Sequence, residues 1–235
     1  LTSPAGNDLP FDESLCEQGR NFSNKIWNAF RLVKGWEVSD TAPQPEHAAA
    51  GIRWFEARSE QVLADIEQSF AGFRLSEALM ATYKHIWDDF CSWYLELAKP
   101  TYGEPCDRAT YDATVGIFER MLSLLHPFMP FVTEEVWAKT AQRDNHLMLD
   151  VWPNLPESLI NKAADTEVRW LIEAIGEIRS VRSEMNVPAG AQVPLVVVGA
   201  DAATQKRLSE TDVVLKRLAR LAEISEADAV PEGAV

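Results

Sequence analysis

Residues 19–36 read GRNFSNKIWNAFRLVKGW. At about 100° per residue, Phe22, Ile26, Ala29 and Val33 fall on one side of a helix. The opposite side collects Arg20, Asn24, Trp27, Arg31 and Lys34, with Asn28 and Gly35 at its edge. One apolar stripe at helical spacing predicts a helix that buries one face in a core. Asp12 is its expected N-cap and Gly35 its end, so the helix should run to about Val33–Lys34. The stretch as a whole is unusual. It carries four basic residues (Arg20, Lys25, Arg31, Lys34) and no acid, in a chain with 36 acids, 22 bases and a net charge of −14. An even spread would place about three carboxylates there.

Working outward from this helix, the same periodicity recurs. After the loop SDTAPQPE (39–46), a second helix is expected over about 47–70, with Ile52, Phe55, Val62, Ile66 and Phe70 inward. A third follows over 74–98, with Leu75, Leu79, Ile86, Phe90, Trp93 and Leu97 as core positions, stopped by Pro100. A fourth is expected over about 107–126, then the break HPFMPF, then a short helix with Thr133 as N-cap and Phe131 and Trp137 in the core. The connections are short, as in a helical bundle. Composition shifts after WPNLP (152–156), which divides the chain into 1–152 and 153–235. Beyond it lie a helix over about 164–184, a turn, an apolar β-branched strand Val193–Val198, and two short helices with the start of another strand. A single buried strand makes no sheet, so this smaller α/β unit is expected to be truncated at its C-terminus.

Composition narrows the function classes. No run of 18 apolar residues is present, so no membrane span is expected. The first residues have no basic and apolar leader pattern. Cys16, Cys91 and Cys106 are odd in number, without CxxC, and the four histidines are dispersed. That pattern predicts reduced thiols in a cytoplasmic protein with no disulfide frame and no metal site. Phosphate-loop, GxSxG, HExxH and DxDxDG motifs are missing, and no catalytic residues are expected.

The carboxylate-free face has chemistry suited to single-stranded RNA. Arg and Lys contact phosphates, Asn can read base edges, and Trp can stack on an unpaired base. The other reading is a helix whose Trp27 is covered by a neighbour and whose cations meet acids of other helices. On that reading the chain is a helical protein-interaction module without a nucleic-acid role.

Four pieces, GRNFSNKIWNAFR (19–31), FCSWYLELAKP (90–100), LLHPFMPFVTEEVW (124–137) and IRSVRSEMNVPAG (178–190), resemble the anticodon-binding domain of class I aminoacyl-tRNA synthetases, the valyl enzymes in particular. They occur in the family's order along nearly the whole chain. The resemblance implies a mainly α fold: the anticodon-binding helical bundle of class I synthetases, followed by a small, truncated α/β unit. It implies a ligase that joins valine to its tRNA using ATP, of which this chain is a fragment. The HIGH and KMSKS signatures are missing, so ATP would serve a catalytic domain outside the chain, and no cofactor is expected within it. The implied partners are the anticodon loop of valine tRNAs and the catalytic domain of the same polypeptide, in a monomer.

The residues expected to touch tRNA are Arg20, Lys25, Arg31 and Lys34 on phosphates, Asn24 and Asn28 on base edges, and Trp27 stacking. In an up-down bundle the first and third helices run parallel. That would bring Tyr94, Lys99 and Tyr102 near Arg31 and Lys34, with Tyr94 open to a core role instead. His126 reads as a helix-end residue or a base contact. Arg179 and Arg182 could meet tRNA backbone or pair with Glu177 or Glu184.

Overall fold

The computed structural model describes residues 12–155, 161–231 and 233. Pro156, the last residue of the WPNLP break, lies outside the described residues, as do Leu1–Phe11 and parts of the terminal AVPEGAV. The chain divides into two compact units, Leu1–Asn161 and Lys162–Val235.

The first unit is a helical bundle. Helix α1 (Glu13–Lys34) begins where the Asp12 carboxylate accepts a hydrogen bond from the Ser14 amide at 2.9 Å. Gly35 closes it. Phe22, Ile26, Ala29 and Val33 are buried as the periodicity requires, joined by Phe30. A two-residue strand β1 (Val38–Ser39) leads to α2 (Glu46–Ala71). There Phe55, Val62 and Ile66 are buried, while Ile52 and Phe70 are half-buried. Gly51 is required by packing: a Cβ there would lie 2.9 Å from the Leu97 Cβ, inside contact distance.

The third predicted helix is present but not uniform. It consists of α3 (Leu75–Lys84), a π-helical segment His85–Tyr94 and α4 (Leu95–Ala98). Wider i→i+5 winding changes which residues face inward. His85 and Phe90, and Ile86 and Cys91, are buried at a spacing of five. Tyr94 then takes the core position that α-periodicity assigns to Trp93, which is only half-buried. Phe55 is the hub of this core, with ring centroids 4.6 Å from His85, 5.7 Å from Phe90 and 5.0 Å from Tyr94. Burying one such aromatic stabilises by about 1.5–3 kcal/mol.

Strand β2 (Cys106–Asp107) pairs in parallel with β1, Val38 opposite Cys106. Asp107 caps α5 (Arg108–Leu125) by accepting from the Thr110 amide at 2.8 Å. Helix α6 (Pro130–Thr140) starts earlier than expected, with Met129 rather than Thr133 at its N-cap and Pro130 in its first turn. Thr133 is therefore not the N-cap; its hydroxyl donates to the Met129 carbonyl at 2.9 Å. Two expected core residues are exposed: Leu75 at the start of α3, and Phe131, 90 % accessible on the outer side of α6. Trp137 is buried. A short 3₁₀ turn (Leu147–Leu149) follows, and Trp152 and Leu155 pack against the core formed by Val62, Leu63, Ile66, Ala78 and Leu124.

The second unit contains α7 (Lys162–Glu184), β3 (Val193–Val198), α8 (Ala202–Ala219) and β4 (Leu221–Ala227). A single helix replaces the two short ones expected. Within it the Thr211 hydroxyl donates to the Arg207 carbonyl at 2.7 Å and Lys216 pairs with Asp212 at 2.8 Å. Strand β4 lies parallel to β3, so the sheet has two strands joined through α8. Strand β3 is half-exposed rather than buried, despite its apolar sequence.

Candidate nucleic-acid interface

Burial of Phe22, Ile26, Ala29, Phe30 and Val33 turns the other side of α1 to solvent. Arg20, Asn24, Asn28, Arg31 and Lys34 are all exposed. At 1.5 Å rise per residue, Arg20 to Arg31 spans about 16 Å. Arg20 lies 3.6 Å from Glu17. Both side chains are well solvated, and such a pair holds its partners weakly. Lys34 Nζ approaches the Thr140 carbonyl at 3.5 Å. Trp27 is half-buried, its ring tilted against Phe30 at 5.8 Å. Part of the indole therefore packs and part meets solvent.

Lys25 stands apart from this set. It is half-buried, with Nζ 5.1 Å from the centre of the Trp87 ring. Trp87 stacks on Tyr83 at 5.6 Å, and Phe22 meets both rings. These contacts advance in the same direction along α1 and along α3 with its π segment, so the two run parallel.

The expected cluster at their C-terminal ends is not assembled. Tyr94 is fully buried, its hydroxyl 2.8 Å from that of Thr114. Burial pushes its ionisation well above the usual phenol range. Lys99 pairs with Glu96 at 2.6 Å and lines a depression with Pro43, His47 and Asp107. Lys34 lines a separate crevice with Tyr111, Val115 and Thr140. Tyr102 is fully exposed. The physical reason is that the π winding turns Tyr94 inward, while the end of α1 leans on α5 and α6. His126 closes α5 and hydrogen-bonds Thr133 at 2.8 Å, the helix-end position.

Arg179 and Arg182 of α7 turn their guanidinium groups to backbone carbonyls rather than to Glu177 or Glu184. Arg179 donates from Nε and an Nη to the Leu218 carbonyl at 3.1 and 2.9 Å. Arg182 is buried and donates to the carbonyls of Arg220, Pro188 and Ala191 at 3.3, 3.4 and 2.7 Å. It ties the EMNVP turn, where Asn186 adopts φ +53°, to the end of α8. The motif is thus a structural clamp within the α/β unit.

One constellation escaped sequence reading. Ser59 Oγ lies 3.0 Å from His85 Nε2, and His85 Nδ1 lies 3.0 Å from Asp89, which also accepts from Arg58 at 3.0 Å. The order is that of a hydrolytic triad. However, Ser59 is 5 % exposed and His85 is enclosed, so no substrate can reach the hydroxyl. Burial lowers the His85 pKa despite the opposing effect of Asp89. Asp89, itself desolvated, is held below its ordinary value by His85 and Arg58. The group satisfies polar atoms inside the core. The i,i+4 spacing of His85 and Asp89 was legible; the partner on α2 was not. Burial also raises Cys91 and Cys106 to about 11, which leaves both thiols unreactive. Among the described residues, no cluster of His, Cys, Asp or Glu could hold a metal ion, and no helix is long and apolar enough to cross a membrane.

Comparison with known proteins bears on the same elements. Residues 52–197 match the family model "Anticodon-binding domain of tRNA ligase". That span runs from α2 into β3 and leaves α1 before it. Curated relatives include the valine–tRNA ligase of Parabacteroides distasonis, 45 % identical over all of this chain, and that of Phocaeicola vulgatus, 52 % identical over 85 % of it. The valine–tRNA ligase of Rhizobium meliloti is 38 % identical over 99 % of the chain. The chain spans about a quarter of the length of each relative, 26 %, 23 % and 25 % respectively. With more than half of its residues inside the matching model and a helical bundle as its larger unit, the chain belongs to the anticodon-binding domain family of tRNA ligases.

Proposed function

We propose that this chain grips the anticodon loop of valine tRNAs on behalf of a valine–tRNA ligase, in the cytoplasm and as part of a monomeric enzyme. The observation that carries the reading is the exposed side of α1 from Gly19 to Lys34, which carries cations and no carboxylate, on a bundle of this family. In a chain of net charge −14, the part of that side beyond the Arg20–Glu17 pair is where an RNA backbone can approach without meeting carboxylates of the helix. Arg20, Arg31 and Lys34 would hold phosphates, Asn24 and Asn28 would face base edges, and the open part of Trp27 would stack. Lys25 would brace Trp87 as much as it meets RNA, and Lys99 would have to leave Glu96 to reach phosphate. Valine activation and ATP binding belong, on this reading, to a catalytic domain of the same polypeptide. The isolated chain should show no valine-dependent ATP–pyrophosphate exchange.

The test is a titration of valine tRNA, and of an anticodon variant, across a salt series. Three phosphate contacts should give a slope of log affinity on log salt of about −2, from roughly 0.7 per contact on a single strand. The anticodon variant should bind more weakly at every salt concentration. A slope near zero, or equal affinity for both tRNAs, removes the assignment of α1 to RNA.

A further inference from the structure

The wide winding of residues 85–94 is fixed at both ends by contacts from other helices. At its start, the His85 ring stacks on Phe55 of α2 at 4.6 Å and meets the Ser59 hydroxyl at 3.0 Å. At its end, the Tyr94 ring lies 5.0 Å from the same Phe55, and its hydroxyl bonds that of Thr114 on α5 at 2.8 Å. Thr114 gives its own proton to the Thr110 carbonyl at 2.7 Å, so Tyr94 is the donor between the two. The segment holds ten residues, so nine steps separate the anchors. At about 100° per residue, nine steps would put His85 and Tyr94 on opposite sides of a helix. Winding at roughly four and a half residues per turn, as i→i+5 bonding gives, closes the nine steps in two turns and lets both rings reach Phe55. The Leu95 amide follows that pattern, donating to the Phe90 carbonyl five residues back.

Pinned in this way, the segment sets the half-buried Trp87 indole against α1. Phe22 of α1 meets the ring at 6.2 Å and Tyr83 stacks on it at 5.6 Å, so two neighbours hold its position. The Lys25 ammonium rests 5.1 Å from the ring centre, within cation–π range. Burial raises the Cys91 thiol and the charge of Lys25 opposes that rise, which places the same ammonium near a second residue of the segment. Arg20 on the same helix has Glu17 as its partner, whereas the partner of Lys25 is a ring. A ring face takes up none of the three N–H donors of an ammonium, so all three remain for an acceptor. A free lysine surrenders most of its rotamer freedom on binding; one already held on an indole surrenders less.

We infer that Trp87 is a positioning residue of the RNA site: its indole holds the Lys25 ammonium in place to meet a phosphate that the indole itself does not touch. The inference rests on the proposed function, in which α1 faces RNA. Lys25 is then a fourth phosphate contact beside Arg20, Arg31 and Lys34. It takes the expected salt slope from about −2 toward −3, at roughly 0.7 per contact.

A double-mutant cycle on the 235-residue chain, read by titration of valine tRNA across a salt series, tests the pairing. Lys25→Met should weaken binding about tenfold at low salt and reduce the slope by about 0.7. Trp87→Leu should weaken binding about threefold and leave the slope unchanged, because the lysine still finds its phosphate at a greater entropic cost. In the Lys25→Met background the same change should do nothing further. A loss from Trp87→Leu that is equal in both backgrounds overturns the inference, since the indole would then touch RNA itself or act through the fold. An unchanged slope in Lys25→Met overturns it as well. If Trp87→Leu fails to fold by circular dichroism, Trp87→Phe takes its place; the smaller ring holds a cation less well, and its loss should likewise vanish without Lys25. The proposed function is judged separately, by the parent chain and the anticodon variant of the tRNA. Anticodon discrimination with a parent slope near −2, and no coupling between Lys25 and Trp87, keeps that function and rejects this inference.

Discussion

Arg31 on α1 and Arg182 on α7 both sit near the end of a long amphipathic helix, in stretches of similar sequence character. Both could be read as phosphate ligands. In the structure they have opposite fates. Arg31 stands in solvent, while Arg182 is buried against three backbone carbonyls. A guanidinium offers five donors, and whether they remain free for a partner depends on which carbonyls the fold brings within reach. In α7, the turn after Glu184 and the end of α8 supply three. In α1, the neighbouring elements pack mainly on the apolar side and leave Arg31 in solvent. The comparison shows that a cationic residue becomes available for RNA when the fold fails to use it.

Three measurements can break or sharpen this contrast. The largest effect should come from Arg182→Ala. It leaves two carbonyls of the turn after Glu184 and one at the end of α8 without their charged donor, and should destabilise the α/β unit by about 3 kcal/mol. Chemical denaturation followed by hydrogen exchange at residues 185–193 would read it. A loss below about 0.5 kcal/mol, the usual range for surface changes, would mean the clamp is not needed for the fold.

Arg31→Glu should act the other way round. Folding should stay within about 0.5 kcal/mol of the parent. Binding of valine tRNA should weaken by on the order of 2 kcal/mol, from a lost charged contact and a new repulsion. If the variant melts early and binds normally, the contrast between the two arginines collapses.

The smallest effect concerns the buried His85–Asp89 pair, which like Arg182 is used internally. His85 has a folded pKa below its ordinary value of 6.5, because burial disfavours the charged ring. The unfolded chain therefore takes up a proton first as pH falls, and the stability present above pH 6.5 is lost as pH drops toward the folded value. Asp89 has the same sign below its ordinary value of 3.8. The melting temperature should fall between pH 7.5 and 5.5 by on the order of a few degrees. His85→Leu should flatten that slope even if it is less stable overall. An unchanged slope in the variant would assign the pH dependence elsewhere.

Periodicity was sufficient where one side of a helix is apolar and the ends are marked. The boundaries of α1 follow from Asp12 and Gly35, the end of α4 from Pro100, and the approximate spans of α2, α5 and α7 from their apolar stripes. It was insufficient where hydrogen bonding departs from the α pattern. The π segment shifted Tyr94 inward and left Trp93 half-exposed, because five-residue spacing reorders the faces without altering composition. Phe131 read as core because its neighbours Phe128, Val132 and Trp137 are apolar; only the direction of α6 set it outside. Ser59 carried no signal at all, since its role depends on a histidine 26 residues away.

By itself, the sequence determined that the protein is mainly helical, that α1 has one apolar side and a carboxylate-free stretch from Gly19 onward, and that the chain resembles the anticodon-binding domains of tRNA ligases. These properties are local: they depend on residue type at intervals of three and four. Only the tertiary structure decided which polar groups remain free. It buried Tyr94 and Arg182, set Lys99 against Glu96, and exposed Phe73 and Phe131, because a side chain's availability depends on neighbours brought together from distant positions in the chain.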